Sequence, residues 1–140
     1  MDRARHTILV TERNANIREL LRRELDRAGY GVVTAADAPE ALEVLRAEPS
    51  VDLVVLDEDL PDAKGDGLVE DLLGGTGGPP VILHAFSQGE GAQRAGGRVA
   101  AVVEKGGDLE RLTAAVARVF ADKIRTVPGP RNTRGSDSGG

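Results

Sequence analysis

The sequence predicts an α/β protein with a five-stranded parallel sheet that is covered by helices on both faces. Five short apolar runs are distributed between residues 7 and 103, and segments with the apolar spacing of helices separate them. The runs are continuous rather than alternating, as expected of strands that are buried on both faces. Parallel strands need crossover connections, so the alternation of strands with helices favours a parallel sheet. The predicted strands span residues 7–11, 31–34, 52–56, 81–84 and 100–103.

The first two predicted helices carry start and stop signals. Asn14 is a suitable N-cap for the first helix and Gly29 a suitable stop signal. The second helix begins with a capping-box-like segment at residues 37–40. The apolar positions at helical spacing are Ile17, Leu20, Leu21, Leu25 and Ala28 in the first helix, and Ala41, Leu42, Val44 and Leu45 in the second.

Three further helices are predicted, of which the fourth contains two glycines. The third spans about residues 68–73 and ends in a glycine cluster, and the fifth begins at Asp108. The fourth, over residues 88–95, is expected to be short or mobile, because Gly89 and Gly91 each cost about 1 kcal/mol in a helix interior. The expected buried positions of the fifth helix are Leu109, Leu112, Val116, Val119 and Phe120.

Length and composition exclude several classes of function. The chain has 140 residues, 40% of them hydrophobic and 29% charged, which fits one globular domain, and no apolar run approaches the ~20 residues that span a membrane. There is no cysteine, so thiolate metal sites and cysteine catalysis are excluded. With a net charge of −5 and only three aromatic residues, we expect no direct contact with nucleic acid. No secretory signal is visible at residues 1–10, so we expect a cytoplasmic location and no membrane partner.

The last twenty residues differ from the rest in composition. Residues 121–140 are rich in Gly, Pro and Ser and carry four Lys or Arg against two Asp. Such a segment has too little apolar surface to order itself. We therefore predict a folded domain over residues 1–120 and a disordered basic tail over residues 121–140.

Charged and polar residues lie at the carboxyl ends of four of the predicted strands. Glu12 and Arg13 follow the first strand. Asp57 lies at the end of the third, His84 is the last residue of the fourth, and Lys105 lies beyond the fifth. In open parallel sheets, ligands bind at the carboxyl ends of the strands. Two carboxylates placed together repel each other unless a cation joins them, which indicates either Mg²⁺ or the ammonium group of Lys105.

At these positions the chain resembles the receiver domain of bacterial response regulators, the phosphoacceptor half of two-component signalling. The resemblance covers roughly residues 7–120. It rests on Ile8-Leu9-Val10 followed by an acid, on residues 16–21 and 29–36, on residues 52–57 with Leu60-Pro61, and on Lys105-Gly106-Gly107-Asp108-Leu109. It implies a (βα)5 flavodoxin-like fold with strand order 2-1-3-4-5.

The resemblance also implies roles for individual residues. Asp57 would be the phosphoacceptor and Lys105 the cation that reads the new phosphate. Glu12, Asp57 and the backbone carbonyl of Asp59 would be ligands of Mg²⁺. The implied partners are a sensor histidine kinase or a phosphotransfer protein, an output protein, and a second copy of the chain in a homodimer. Beyond self-phosphorylation and slow autodephosphorylation, no enzymatic activity is implied.

Three positions depart from the family pattern. Arg13 replaces the second acid after the first strand, which implies weak or absent Mg²⁺ binding. His84 takes the place of a Ser or Thr at the end of the fourth strand, with Ser87 as a candidate substitute. Val102 takes the place of an aromatic residue three positions before the lysine.

Two other functions remain open from the sequence. The first is a pseudo-receiver, a partner-binding module that is independent of phosphorylation, in which the permanent charge of Arg13 replaces the metal. The second is a phosphatase similar to the haloacid dehalogenases. In that case Asp57 would be the nucleophile and Asp59 the general acid of an acid-x-acid motif.

Overall fold

A computed structural model describes residues 6–47, 50–60, 78–85, 99–106 and 108–125 of the chain. The elements in chain order are β1 (Thr7–Thr11), α1 (Ala15–Arg27), β2 (Gly31–Ala35), α2 (Ala38–Ala47), β3 (Val51–Asp57), β4 (Val81–Ala85), β5 (Ala101–Glu104) and α3 (Leu109–Arg125). The strands form one parallel sheet in the order β2-β1-β3-β4-β5, which confirms the predicted topology. The third and fourth predicted helices, at 68–73 and 88–95, lie outside the described residues.

Alternate residues of the buried strands point to opposite faces and form two apolar cores. In β1, Leu9 belongs to one core, and Ile8 and Val10 belong to the other. The first core includes Ala38 and Ala41 of α2. The second includes the buried residues of α1 and α3, namely Leu21, Leu25, Leu112, Val116, Val119 and Phe120. Helices therefore cover both faces of the sheet, as the continuous apolar runs predicted.

The ends of α1 follow the predicted signals. The side-chain oxygen of Asn14 accepts a hydrogen bond from the backbone N–H of Ile17 at 3.0 Å, as an N-cap does. After the helix, Gly29 has a φ of +106°, a left-handed conformation that favours glycine. The predicted apolar positions of α1 are not all buried. Leu21 is buried, whereas Ile17 and Leu20 are 40% and 43% exposed.

At the start of α2, the capping interactions are shifted by one residue. The Asp37 carboxylate accepts a hydrogen bond from the backbone N–H of Glu40 at 2.9 Å, as in a capping box. In return, the Glu40 carboxylate accepts from the backbone N–H of Ala36 at 2.8 Å rather than from that of Asp37. The start signal is thus confirmed, and its reciprocal half reaches one residue further back.

An aromatic stack lies at the amino-terminal edge of the sheet. The His6 ring stacks on Phe120 of α3, with 4.2 Å between the ring centroids and 10° between the ring planes. The Tyr30 ring is tilted by 35° against Phe120, with 5.5 Å between the centroids. The backbone N–H of Thr7 donates to the Asp52 carboxylate at 2.8 Å, so β1 and β3 are joined at the same edge.

Helix α3 continues to Arg125, five residues beyond the predicted domain end at residue 120. Residues 126–140 of the predicted tail lie outside the described part of the chain, so the domain boundary stays a prediction. None of the helices described in the structure is long and apolar enough to cross a membrane.

Candidate functional site

The structure brings Glu12, Asp57 and Lys105 together at the carboxyl edge of the sheet. Lys105 Nζ lies 2.5 Å from Asp57 Oδ1 and 3.5 Å from Glu12 Oε1. All three side chains are at least 92% buried. Asp57 is the last residue of β3, whereas Glu12 and Lys105 directly follow β1 and β5. The parallel sheet places these three strand ends at the same edge.

Three donors among the described residues hold the Asp57 carboxylate. Its Oδ1 accepts hydrogen bonds from Lys105 Nζ and from the backbone N–H of Asp59, the latter at 2.9 Å. Its Oδ2 accepts one long hydrogen bond, of 3.4 Å, from the backbone N–H of Arg13. Oδ2 is therefore the oxygen with more unused lone-pair capacity.

Glu12 is fixed at the end of β1 by its backbone and its carboxylate. Its backbone N–H donates to the carbonyl of Ala35 at 3.0 Å, which joins β1 to the end of β2. Its Oε2 accepts from the backbone N–H of Asn14 at 3.2 Å. Its Oε1 is buried and has no hydrogen-bond partner within the described ranges, although the Lys105 ammonium lies 3.5 Å away. The charge of Glu12 is thus compensated while one acceptor oxygen stays unused.

Thr11 is a site residue that the sequence analysis missed. Its fully buried hydroxyl accepts from the backbone N–H of Asp57 at 2.9 Å and donates to the carbonyl of Val55 at 3.0 Å. The signal in the sequence was a hydroxyl residue directly after the apolar run Ile8-Leu9-Val10, at the carboxyl end of β1. Thr11 therefore positions the backbone of Asp57 from the neighbouring strand.

Arg18 is a second residue that the sequence analysis missed. From the first turn of α1, its guanidinium donates to the carbonyl of Glu12 at 2.9 Å and to that of Arg13 at 3.5 Å. These two carbonyls belong to the loop that presents the Arg13 backbone N–H to Asp57. Arg18 therefore fixes the shape of the loop after β1.

His84 lies beside the acidic residues, on the adjacent strand. It is the register partner of Asp57 in the β3–β4 ladder, and its side chain is buried. Burial, together with the nearby Lys105 ammonium, lowers the pKa of His84 to about 4, although Asp57 acts in the opposite direction. The imidazole is therefore neutral at pH 7.

The other predicted positions lie outside this cluster of buried side chains. Arg13 is exposed, and its contact with Asp57 is made by its backbone rather than by its guanidinium. Asp59 is also exposed and contributes its backbone N–H. Val102 pairs with Leu83 and packs against the first core. Ser87 lies outside the described residues.

The turn after β5 sets the position of Lys105. The backbone N–H of Lys105 donates to the carbonyl of Ala85 at the end of β4. The next residue, Gly106, has a φ of +80°, which is strained for residues with a side chain. Glycine at this position allows the chain to reverse directly after the lysine.

The donor set fits a hard cation with two protein carboxylates. No group of three or more His, Cys, Asp or Glu residues that could hold a metal ion occurs in the described ranges. Glu12 and Asp57 do supply two buried carboxylates, and Glu12 Oε1 lacks a hydrogen-bond donor among the described groups. Mg²⁺ is commonly bound by one or two carboxylates and keeps several waters, so two carboxylates are sufficient.

Comparison with known sequences identifies relatives of this chain. The sequence model of the family "response regulator receiver domain" matches residues 8–117. The probable transcriptional regulator ycf27 of Pyropia yezoensis is 38% identical over 89 residues, which are 63% of this chain and 36% of that protein. The alkaline phosphatase synthesis transcriptional regulatory protein PhoP of Bacillus subtilis is 45% identical over 58 residues, 41% of this chain and 24% of that protein. The chain spans about a third of the length of the first curated relatives that it matches.

Solved structures share the fold over most of the chain. A response regulator receiver domain protein from Clostridium thermocellum has a TM-score of 0.76 at 21% identity, covering 87% of this chain and 99% of that one. The response regulator TrrA of Thermotoga maritima, solved in complex with Mg²⁺-BeF, has a TM-score of 0.72 at 27% identity, covering 81% and 98%. With the strand order β2-β1-β3-β4-β5 and the sequence match over residues 8–117, the chain belongs to the receiver domain family of two-component response regulators.

Proposed function

We propose that Asp57 accepts a phosphoryl group from a phosphohistidine of a sensor histidine kinase or a phosphotransfer protein. The observation that carries this proposal is the contact of 2.5 Å between Lys105 Nζ and Asp57 Oδ1 at the end of β3. A buried carboxylate paired with an ammonium group has a cation in place for the charge that a phosphoryl group brings. We do not propose the phosphatase alternative, because the chain belongs to the receiver family. In addition, Asp59 contacts Asp57 through its backbone N–H and not through the carboxyl group that a general acid would use.

The nucleophile in this proposal is Asp57 Oδ2. Oδ1 accepts from Lys105 and from the backbone of Asp59, whereas Oδ2 accepts only the long hydrogen bond from the Arg13 backbone in the part of the chain that the structure describes. As the bond between Oδ2 and phosphorus forms, the bond between phosphorus and the donor's histidine nitrogen breaks. The electron pair of that bond stays on the leaving nitrogen, and Asp57 becomes an acyl phosphate. The Lys105 ammonium then neutralises part of the added negative charge.

Glu12, Asp57 and the backbone carbonyl of Asp59 would hold a bound Mg²⁺. Such an ion supplies positive charge beside the phosphoryl oxygens. We propose that its binding is weak, because Arg13 brings a positive charge into the loop beside Asp57.

We propose that the signal leaves the domain through protein contacts, either with an output protein or with a second copy of this chain. The net charge of −5 disfavours direct contact with nucleic acid. The cytoplasmic location and the absence of a membrane partner stay predictions of the sequence.

A second candidate is the pseudo-receiver, which one observation favours. Lys105 contacts both Glu12 and Asp57, so the two carboxylates are already joined by a cation that belongs to the chain. In this second candidate the domain binds its partner in one fixed state. Arg13 then adds a further permanent charge in place of a metal.

Intact mass after incubation with a small acyl phosphate and Mg²⁺ tests the proposal. We expect wild type and Asp59→Asn to gain one phosphoryl group and Asp57→Asn to gain none. The Asp59→Asn variant is the matched control, since its backbone N–H is retained. An unchanged wild type, under conditions that label an ordinary receiver, would favour the pseudo-receiver.

A further inference from the structure

Two peptide groups in the loop between β1 and α1 contact the two carboxylates of the site. The backbone N–H of Arg13 donates to Asp57 Oδ2 at 3.4 Å, and that of Asn14 donates to Glu12 Oε2 at 3.2 Å. Both hydrogen bonds are at the long end of the usual range, so a small rotation of either peptide group would break its bond. Whether the carboxylates keep these donors therefore depends on the orientation of the loop.

Arg18 holds the opposite side of the same two peptide groups. A peptide group is planar and nearly always trans, so its C=O and N–H point in opposite directions. The Glu12 carbonyl shares a peptide group with the Arg13 N–H, and the Arg13 carbonyl shares one with the Asn14 N–H. Arg18 Nη1 donates to these two carbonyls at 2.9 and 3.5 Å. One guanidinium nitrogen thus orients both peptide groups, with their N–H groups towards the carboxylates.

The stability of α1 does not explain why an arginine stands at position 18. A positive charge near the amino terminus of a helix interacts unfavourably with the helix dipole. The first turn of α1 contains no acidic residue that could offset this charge. Arg22, one turn later, pairs with Glu19 at 2.6 Å, whereas the half-buried Arg18 contacts the two loop carbonyls. The contacts of Arg18 therefore serve the loop rather than the helix.

We propose that Arg18 is a positioning residue for the phosphorylation of Asp57. This inference rests on the proposed function of Asp57. Through the carbonyl of Glu12, Arg18 directs the Arg13 N–H at Oδ2, the oxygen that would attack the phosphorus. Holding a nucleophile in the reactive orientation lowers the barrier of the reaction. Without the guanidinium, the peptide group is free to rotate, and Oδ2 loses the donor that orients it.

Phosphorylation kinetics of the full chain test this role. Intact mass is followed over time with a small acyl phosphate, at a Mg²⁺ concentration above which the rate no longer rises. Arg18→Met keeps an unbranched apolar stem but removes the donors. We expect it to be phosphorylated about tenfold more slowly than wild type, as for the loss of one hydrogen bond from a charged group. Arg18→Lys keeps a charged donor and should restore most of the rate.

Arg22→Met is the matched control. It removes the same charge from the same helix, but Arg22 contacts Glu19 at the exposed surface and not the loop. We expect Arg22→Met to be phosphorylated at the rate of wild type. Equal slowing in Arg22→Met and Arg18→Met would assign the effect to the charge of α1 and overturn the positioning role.

The backbone amide signals of the loop give a second readout, which needs neither phosphorylation nor Mg²⁺. In the free chain we expect the ¹H–¹⁵N signals of Arg13 and Asn14 to shift in Arg18→Met, to return towards wild type in Arg18→Lys, and to stay unchanged in Arg22→Met. Urea unfolding shows whether each variant is folded under the conditions of the rate measurement. A purely stabilising role of Arg18 would lower the free energy of unfolding without slowing the phosphorylation of folded molecules.

The outcomes separate the two proposals. Equal rates in wild type and Arg18→Met, or unchanged signals of Arg13 and Asn14, would overturn the role of Arg18 and leave that of Asp57 intact. A wild type that gains no mass would overturn the proposed function, and this inference with it. If Arg18→Met does not fold, the comparison of Arg18→Lys with Arg22→Met decides, because a lysine lacks the second carbonyl contact and should still shift the Asn14 signal.

Discussion

The side-chain hydroxyl of Thr11 accepts the backbone N–H of Asp57 at 2.9 Å and donates to the Val55 carbonyl at 3.0 Å. The backbone register between β1 and β3 extends to the pair Val10 and Val55, so the hydroxyl continues the link between the strands beyond it. The Thr11 side chain therefore fixes the backbone of Asp57 at the carboxyl end of β3.

Replacing Thr11 with valine should lower the free energy of unfolding by about 1–3 kcal/mol. Valine has nearly the same shape but leaves the buried N–H of Asp57 without this acceptor. Thr11→Ser is the matched control, because it keeps the hydroxyl and removes only a methyl group, at about 1 kcal/mol. Urea unfolding of the three proteins measures the difference. Equal stability of Thr11→Val and wild type would show that Asp57 does not depend on this hydroxyl.

Two adjacent leucines of α1 should respond differently to truncation. Leu21 is 1% exposed in the second core, so Leu21→Ala should cost about 2–5 kcal/mol. Leu20 is 43% exposed, so Leu20→Ala should change the free energy of unfolding by about 0.5 kcal/mol or less. Thermal or urea unfolding compares them directly. A large loss of stability in Leu20→Ala would indicate that another part of the chain covers this side chain.

Charge at Arg13 should control Mg²⁺ affinity. Arg13→Asp replaces a like charge with a carboxylate next to the proposed ligands, so we expect Mg²⁺ to bind more than tenfold tighter. A like charge at ~4 Å in an effective dielectric near 20 would oppose binding by about 4 kcal/mol. The Arg13 side chain is exposed, and even after a severalfold reduction by solvent the remainder is about 1.4 kcal/mol, a factor of ten. Arg13→Ala separates removal of the charge from addition of a ligand. The measurement is a Mg²⁺ titration followed by the amide signals around Asp57.

Equal Mg²⁺ affinity in wild type, Arg13→Ala and Arg13→Asp would contradict this prediction. The exposed guanidinium would then have no influence on the pocket. Such a result would also remove the main support for a pseudo-receiver in which Arg13 replaces the metal.

Acid should destabilise the domain through His84. The pKa of His84 is about 4 in the folded chain and near 6.5 when the chain unfolds, so the unfolded state takes up the proton first. The free energy of unfolding should therefore fall as the pH is lowered from about 6.5 to about 4, by at most about 3 kcal/mol. Urea unfolding at several pH values, with His84→Asn as the reference without an imidazole, isolates this contribution. Parallel pH profiles for the two proteins would contradict it.

Much of the fold could be predicted because a strand that is buried on both faces of a sheet appears in the sequence as a continuous apolar run. The strand of residues 51–57 is apolar at five of its seven positions, and the structure places it in the middle of the sheet. The charged residues that follow such strands were identified for the same reason, since the carboxyl ends of parallel strands share one edge. Glu12, Asp57 and Lys105 are accordingly found together.

The remaining features depend on tertiary contacts that periodicity does not encode. The spacing of Ile17 and Leu20 suits a helix, but which side of the apolar stripe faces the core depends on where α3 packs against α1. The partner of Thr11 is 46 residues away along the chain, so no local pattern reveals that bond. The sequence around Arg18 does not distinguish it from a solvent-exposed helix arginine. Its role depends on the fold of the loop after β1, which places the carbonyls of Glu12 and Arg13 near its guanidinium.

The stack of His6 on Phe120 determines where a reporter group can be attached without disturbing the site. The stack lies at the amino-terminal edge of the sheet, and β1 runs from there to Glu12 over five residues, a length of about 17 Å. A fluorophore joined beside His6 would thus sit one strand length from the carboxylates, on the opposite edge. Its emission would report contacts at that edge, while the phosphoacceptor edge stays free for a kinase.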